Sequence, residues 1–124
     1  MDIFDEYTKH DMIAGNYYAE KLKLEEIYKN IKNYKSSIDV CNYKLKSFNE
    51  FLSASVNNHN YEFYIDKIMA ENISLIQINF KLEEETKKKE EKEEEVNKLH
   101  KIVLQNMEKQ EEMKKNFYLY KRSY

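Results

Sequence analysis

Residues 24–52 read LEEIYKN IKNYKSS IDVCNYK LKSFNEF L, and apolar side chains recur along them at alternating intervals of three and four residues. This is the a/d pattern of a coiled coil, kept for about four heptads. Its members are Leu24, Ile27, Ile31, Tyr34, Ile38, Cys41, Leu45, Phe48 and Leu52. Extended backwards, the frame includes Tyr17 and Ile13, with Glu20 as its polar exception. The pattern predicts a helix from about Thr8 to Ala54, about 70 Å long, that needs a partner helix.

The composition of the chain also favours long helices with few turns. Its 124 residues include one Gly and no Pro, the two residues that punctuate domains with several loops. Charged residues of both signs make up 35% of the chain and leave a net charge of −2, as in solvated helices and coiled coils. Because there is no basic excess, neither nucleic acid nor an anionic membrane surface is expected as a partner.

The start of the chain and its single cysteine predict a reducing, cytoplasmic location. Residues 1–6 are acidic and lack the apolar h-region of a secretory signal. No run approaches the roughly 18 apolar residues that a membrane span requires. Cys41 has no second cysteine with which to form an internal disulfide.

The sequence contains no motif for catalysis, and we predict neither an enzyme nor a cofactor or metal. His10, His59 and His100 are not spaced as metal ligands on a helix. The only glycine, Gly15, cannot build a phosphate-binding loop, and no Ser or Cys lies in a nucleophile motif. A pair of helices also offers no concave pocket of substrate size.

A second heptad frame fits the C-terminal half of the chain and predicts a helix from about Ser74 to Arg122. Its positions are Leu75, Ile78, Leu82, Glu85, Lys89, Lys92, Val96, Leu99, Val103, Asn106, Gln110, Met113, Phe117 and Tyr120. Residues Glu83–Glu95 contain no apolar side chain, and their i,i+4 Glu–Lys pairs support a helix without much packing. We interpret this run as a solvated helical face, with a surface for a basic partner as the less favoured alternative.

The segment Ile73–Leu82 fits a strand as well as a helix, because its apolar residues also alternate with polar ones. We favour a helix because the heptad frame continues through the segment without a break. Such a helix is apolar on more than one face. It must therefore contact more than one neighbour.

Between the two helices, the sequence predicts a loop and a small β-hairpin at about residues 55–72. The segment Ser53–Asn60 ends in four polar residues in a row, which are the clearest loop signal in the chain, and Tyr61–Ala70 then shows the two-residue period of a strand. A short connection makes the helices antiparallel, with the chain ends together and Glu83–Glu95 opposite roughly Asn33–Leu45. A lone hairpin is marginally stable in water, so its strands are expected to pair with strands of other chains.

Both ends of the chain are unusually apolar. The N-terminal residues of this kind are Ile3, Phe4, Tyr7, Met12, Ile13, Tyr17 and Tyr18, and the C-terminal ones are Met107, Met113, Phe117, Tyr118, Leu119, Tyr120 and Tyr124. We expect the two clusters to meet at the tip far from the hairpin. They either close that tip or pack on another subunit, or they form an adaptable apolar surface for other proteins.

Short motifs distributed along the chain resemble the β-type subunits of prefoldin, a hexameric co-chaperone. They are Phe4-Asp5-Glu6 with Lys9, Asp11 and Ala14, then Glu25-Glu26-Ile27, Asp39-Val40-Cys41, Phe63–Ala70 and Leu82-Glu83-Glu84. Phe63–Ala70 is similar to the hairpin of that family, except that Asp66 replaces a glycine and Lys67 replaces an acidic residue. The resemblance implies a single prefoldin-like domain over residues 1–124. Its fold would be mainly α, a long antiparallel two-helix coiled coil with a small β-hairpin at the bend.

The resemblance also implies a function. The chain would be one subunit of a heterohexamer with two α-type and further β-type prefoldin subunits, and would deliver unfolded actin or tubulin to the cytosolic chaperonin without ATP. Client contacts would come from Phe4, Tyr7, Met12, Ile13, Met113, Phe117, Tyr118 and Tyr120. Assembly contacts would come from Tyr61, Phe63, Ile65, Ile68, Met69, Ile73, Ile76 and Phe80. The alternative is a structural coiled-coil subunit of another cytosolic or cytoskeletal complex.

Overall fold

The computed structural model describes the backbone of residues 3–55 and 59–122 and the side chains of residues 8–55 and 59–120. Two α-helices account for this part of the chain: α1 spans Ile3–Ala54 and α2 spans Tyr61–Arg122. The prediction of two long helices is therefore confirmed. The segment Ile73–Leu82, which fitted both periods, is helical.

The facing ends of the two helices are closed by local hydrogen bonds. At the end of α1, the Ser55 hydroxyl donates to the Phe51 carbonyl oxygen at 2.6 Å, and the Ser55 N–H donates to the Leu52 carbonyl oxygen at 3.0 Å. These bonds satisfy carbonyl groups that a helix end leaves without partners. At the start of α2, the Asn60 carbonyl oxygen accepts the first helical hydrogen bond, from the Tyr64 N–H at 3.1 Å. Asn is among the residues preferred at this capping position.

The predicted β-hairpin at residues 55–72 is wrong for the part of this segment that the structure describes. No strand is present there, and α2 runs through Tyr61–Ala70 without a break. The reason lies in the sequence: the heptad frame of α2 continues backwards from Leu75 through Glu71, Ile68 and Tyr64, with no Gly or Pro to interrupt it. A helix satisfies the backbone groups of this segment internally, whereas a lone hairpin would leave them at its edges.

The packing divides into two compact units, and each helix contributes to both. The first unit joins Met1–Glu26 with Glu90–Tyr124, and the second comprises Ile27–Lys89. In the second unit, Lys44 Nζ lies 3.5 Å from Glu71 Oε1. Phe51 lies seven residues after Lys44 in α1, and Tyr64 lies seven residues before Glu71 in α2. The rings of Phe51 and Tyr64 stack with centroids 5.5 Å apart. The helices of this unit are therefore antiparallel, and their register advances by heptads.

The first unit is also antiparallel. Lys92 Nζ lies 2.6 Å from Glu20 Oε2, and the ring of His100 stacks on that of Tyr17 with centroids 5.4 Å apart. The contact of Lys92 with Glu20 corrects the predicted register, which placed Glu83–Glu95 opposite Asn33–Leu45. Because α2 begins at Tyr61, within the segment assigned to the hairpin, α2 residues pair with earlier residues of α1 than predicted.

The core of each unit is a narrow seam between the two helices. The apolar side chains that the structure buries are Leu24, Ile31, Cys41 and Val96, and all four hold positions of the two predicted heptad frames. Other seam residues, such as Ile38, Leu75 and Leu99, are half-buried. A seam of this kind covers one stripe of each helix and leaves the remaining faces to solvent or to other proteins.

Candidate protein-binding surfaces

A polar cluster occupies the seam of the first unit. Glu20, the exception in the α1 frame, is buried and accepts hydrogen bonds from Lys92 Nζ at 2.6 Å and from Lys23 Nζ at 3.0 Å. Lys92 also donates to Glu95 Oε2 at 3.0 Å. Two lysines and two glutamates thus form a connected chain of charges that joins the two helices of this unit.

The charges of this cluster shift the pKa values of its two central members. The hydrogen bond from Lys92, followed by that from Lys23, lowers the pKa of Glu20, although burial acts in the opposite direction. The hydrogen bonds to Glu20 and Glu95 raise the pKa of Lys92. Both shifts favour the charged forms, so the pair is an ion pair at neutral pH.

A second apolar stripe lies on the outer face of α2 in the second unit. Its members Met69, Ile73, Ile76 and Phe80 follow one another at intervals of four, three and four residues, so they share one face of the helix. They are between 56% and 69% exposed. The seam residues Ile68, Leu75, Ile78 and Leu82 are half-buried on the face that packs on α1. We call the exposed set Met69–Ile73–Ile76–Phe80 the outer stripe.

The structure separates the eight residues that were predicted to mediate assembly into two groups. Ile65 and Ile68 are half-buried on the seam side of α2, whereas Met69, Ile73, Ile76 and Phe80 come together in the outer stripe. Tyr61 and Phe63 are exposed in the first turn of α2. The ring of Phe63 packs edge-on against Tyr64, and Lys67 Nζ lies 5.4 Å from its centroid. The role of these residues in assembly stays a prediction.

The C-terminal residues that were predicted to contact clients are exposed. All side chains from Glu111 to Tyr120 are exposed, including Met113, Phe117, Tyr118 and Tyr120. The rings of Phe117 and Tyr118 lie edge to face with centroids 6.2 Å apart. Large apolar side chains therefore face several directions near the end of α2.

The N-terminal residues of the predicted client surface have mixed positions. Met12 is 71% exposed, whereas Ile13 is half-buried in the α1 frame. Phe4 and Tyr7 belong to α1, but their side chains lie outside the described residues. The structure thus assigns Met12 to the exposed surface and Ile13 to the seam.

The described residues have three further features, which concern metal binding, membrane insertion and thiol chemistry. The described residues include no group of three or more His, Cys, Asp or Glu side chains that could hold a metal ion. Neither α1 nor α2, over their described lengths, contains a stretch apolar enough to cross a membrane. Cys41 is buried in the seam, where burial and then a hydrogen bond to Glu71 raise the pKa of its thiol. A protonated, buried thiol is a poor nucleophile.

Sequence reasoning missed two features of these surfaces. The ion pair between Glu20 and Lys92 was hidden by the incorrect register, although its signal was present as opposite charges on two heptad frames. The four members of the outer stripe were among the residues predicted for assembly, but the sequence indicated a shared apolar face only for Ile73–Leu82. Its extension to Met69 emerged once that part of the chain proved helical.

Comparisons with known proteins do not assign the chain to a family: no family model, no curated protein and no solved structure matches it. We therefore infer the function from the surfaces described above.

Proposed function

We propose that this chain is a helical subunit of a protein assembly and binds other proteins through the outer stripe of α2. The observation that supports this proposal is that α2 is apolar on two faces. One face, with Leu75, Ile78 and Leu82, packs in the seam of the second unit, and the other, the outer stripe, is exposed. A helix that is apolar on two faces has two neighbours to contact, and α1 supplies one of them.

The energetics favour covering this stripe. Four large apolar side chains at helical spacing form a contiguous patch, and burial of apolar surface contributes about 25 cal/mol per Å². Soluble proteins use large exposed patches of this kind mainly as binding sites. A partner helix with its own apolar stripe can interdigitate with Met69, Ile73, Ile76 and Phe80, as helices do in bundles.

The test is the native mass of the complex that contains the chain. The tagged full-length protein is expressed in its source cells, purified gently and weighed by native mass spectrometry, beside the variants Ile76→Gln and Leu104→Gln. Both residues are exposed aliphatics of α2, and they hold the same heptad position, four heptads apart in the sequence. We expect a stoichiometric protein partner that is lost with Ile76→Gln and retained with Leu104→Gln. The same monomeric mass for all three proteins would contradict the proposal.

A second candidate function is that of a prefoldin-type co-chaperone subunit in the cytoplasm. It is favoured by the exposed apolar residues of α2 from Met113 to Tyr120. In this proposal the chain works with α-type and other β-type prefoldin subunits. The exposed apolar residues from Met113 to Tyr120 hold unfolded clients of the actin and tubulin class, and the chain transfers the clients to the cytosolic chaperonin without ATP. Because residues 61–72 are helical, assembly would use the outer stripe instead of a shared β-sheet.

Suppression of aggregation tests this second function. Denatured actin is diluted into buffer with the purified complex of the chain, and light scattering is recorded. We expect the complex to reduce scattering, and the pair of substitutions Phe117→Ser and Tyr120→Ser to abolish the effect. If the doubly substituted complex protects actin as well as the unsubstituted one, the C-terminal residues of α2 do not bind clients.

A further inference from the structure

We infer that the outer stripe binds an amphipathic helix of a different protein, one whose apolar stripe is flanked at both ends by Lys or Arg. This inference rests on the proposed function as an assembly subunit, and it names the chemistry of the partner. The observation behind it is the distribution of charge on the outer face of α2.

Acidic side chains flank the stripe at both ends. Glu62 and Asp66 lie seven and three residues before Met69, and Glu83 and Glu84 lie three and four residues after Phe80. These intervals place all four carboxylates on the same face of α2 as the stripe. All four side chains are exposed.

The stripe itself is free of charge. Residues 72–80 include no Asp, Glu, Lys or Arg, and the side chains beside the stripe are small or carry neutral amides: Ala70, Asn72, Gln77 and Asn79. Glu71, the one charged residue between Ile68 and Phe80, is turned into the seam, where it pairs with Lys44 of α1. The surface is therefore an apolar strip with a negative charge cluster at each end.

The cations on this part of α2 lie beside the seam or farther from the stripe than the carboxylates, and Lys88 pairs with Glu85 at 3.2 Å. Lys67 and Lys81 lie one residue before seam positions, beside the seam and away from the stripe. Lys87 lies on the outer face, one turn beyond Glu83. The four carboxylates thus remain the nearest charges in line with the stripe.

A second copy of this chain is a poor occupant. In an antiparallel pair of stripes, Glu62 and Asp66 of one copy would face Glu83 and Glu84 of the other. In a parallel pair, each acidic cluster would face its own equivalent. Like charges oppose both arrangements, whereas a helix with basic residues at both ends of its apolar stripe is complementary in either direction.

Two synthetic peptides test the inference with the full-length chain. Both are helical, with Leu at the intervals of the outer stripe, and they differ only in carrying Lys or Glu at the two ends. Fluorescence anisotropy at low salt measures their affinities. We expect the basic peptide to bind at least about tenfold more tightly than the acidic one and to lose affinity as salt rises.

Substitutions locate the binding site. Ile76→Gln is expected to weaken binding of the basic peptide by about tenfold or more, and Leu104→Gln is expected to leave the affinity unchanged. Combining Glu62→Lys with Glu83→Lys is expected to reduce or reverse the preference for the basic peptide. Circular dichroism verifies that each variant keeps the helical content of the unsubstituted chain.

The outcomes separate this inference from the proposed function. If both peptides bind equally through the stripe, or if ultracentrifugation shows a dimer that Ile76→Gln disrupts, the charge-based choice of partner is wrong while the role in assembly stands. If neither peptide binds, the inference is overturned. The proposed function also fails if, in addition, the native mass of the tagged chain does not depend on Ile76.

Discussion

Lys92 donates a hydrogen bond from Nζ to Glu20 Oε2 over 2.6 Å and so joins the two helices of the first unit at seam positions that coiled coils usually fill with apolar residues. Lys23 and Glu95 extend the pair along each helix. A buried ion pair contributes little net stability compared with apolar packing, and its best-attested role is to fix register and orientation. We therefore interpret Glu20 and Lys92 as the pair that fixes how α1 and α2 align in this unit.

The stability of the chain should depend on pH through this pair. The pKa of Glu20 is lowered from 4.5, so its contribution is complete above about pH 4.5 and is lost as pH falls through the lowered value. The pKa of Lys92 is raised from 10.5, so its contribution is complete below about pH 10.5 and is lost as pH rises through the raised value. Thermal unfolding by circular dichroism measures both losses. With Glu20→Gln, we expect the Tm to fall at neutral pH and the acid-side decrease to become smaller.

The control for this experiment is Glu50→Gln, because Glu50 is an exposed carboxylate on the same helix. The dependence of Tm on pH for this variant should match that of the unsubstituted chain. If Glu20→Gln and Glu50→Gln give the same profile, the ion pair with Lys92 does not cause the acid sensitivity.

Reversing the charge of either Glu20 or Lys92 alone should destabilise the chain, and reversing both together should restore part of the lost stability. Glu20→Lys places three ammonium groups together, from positions 20, 23 and 92, and Lys92→Glu does the same for carboxylates at 20, 92 and 95. The combined variant recreates the interhelical pair. Recovery is partial because Lys23 and Glu95 then meet like charges within their own helices. A double-mutant cycle in urea measures the coupling, and strictly additive losses would show that residues 20 and 92 do not interact.

The seam predicts that replacing Leu24 by alanine costs much more stability than replacing the nearby Leu22. Leu24 is 8% exposed and lies in the seam, whereas Leu22, on the same helix, is 65% exposed. We expect Leu24→Ala to lower the free energy of unfolding by about 2–5 kcal/mol, because it removes buried methyl groups and leaves a cavity. Leu22→Ala should change it by less than about 0.5 kcal/mol. Equal losses in urea titrations would mean that the heptad frame of α1 does not define the core.

The heptad frames explain which parts of this structure could be predicted from the sequence. Leu24, Ile31 and Cys41 recur strictly enough to fix the buried face of α1, because a 3.5-residue period places them on one stripe whatever the partner. The start of α2 was misassigned because Tyr61 and Phe63 fit a strand period locally. The heptad frame of α2 passes through Glu71 in this region. Because Glu71 is polar, a pattern of apolar residues does not reveal that the frame continues there.

The interhelical contacts could not be predicted for a related reason. A heptad frame shows which face of a helix packs, but not which residue of the partner it meets, since shifting one helix by seven residues gives an equally regular seam. Only the true length of the connection and the charges of Glu20 and Lys92 select one register. The error of assigning residues 61–72 to a hairpin therefore shifted the predicted register along the helices.

Substitution of Asp66 distinguishes the helix from the hairpin. Asp66 is an exposed residue inside α2, where Pro would remove a backbone hydrogen bond and clash with the preceding turn. We expect Asp66→Pro to cost about 3 kcal/mol and to reduce the helical circular dichroism signal, whereas Asp66→Ala should be neutral or slightly stabilising. In a β-turn the order would differ, because Pro is favoured at the first central position of the common turns. If Asp66→Pro retains full helicity and stability in urea titrations, residues 61–72 do not form the first turns of α2.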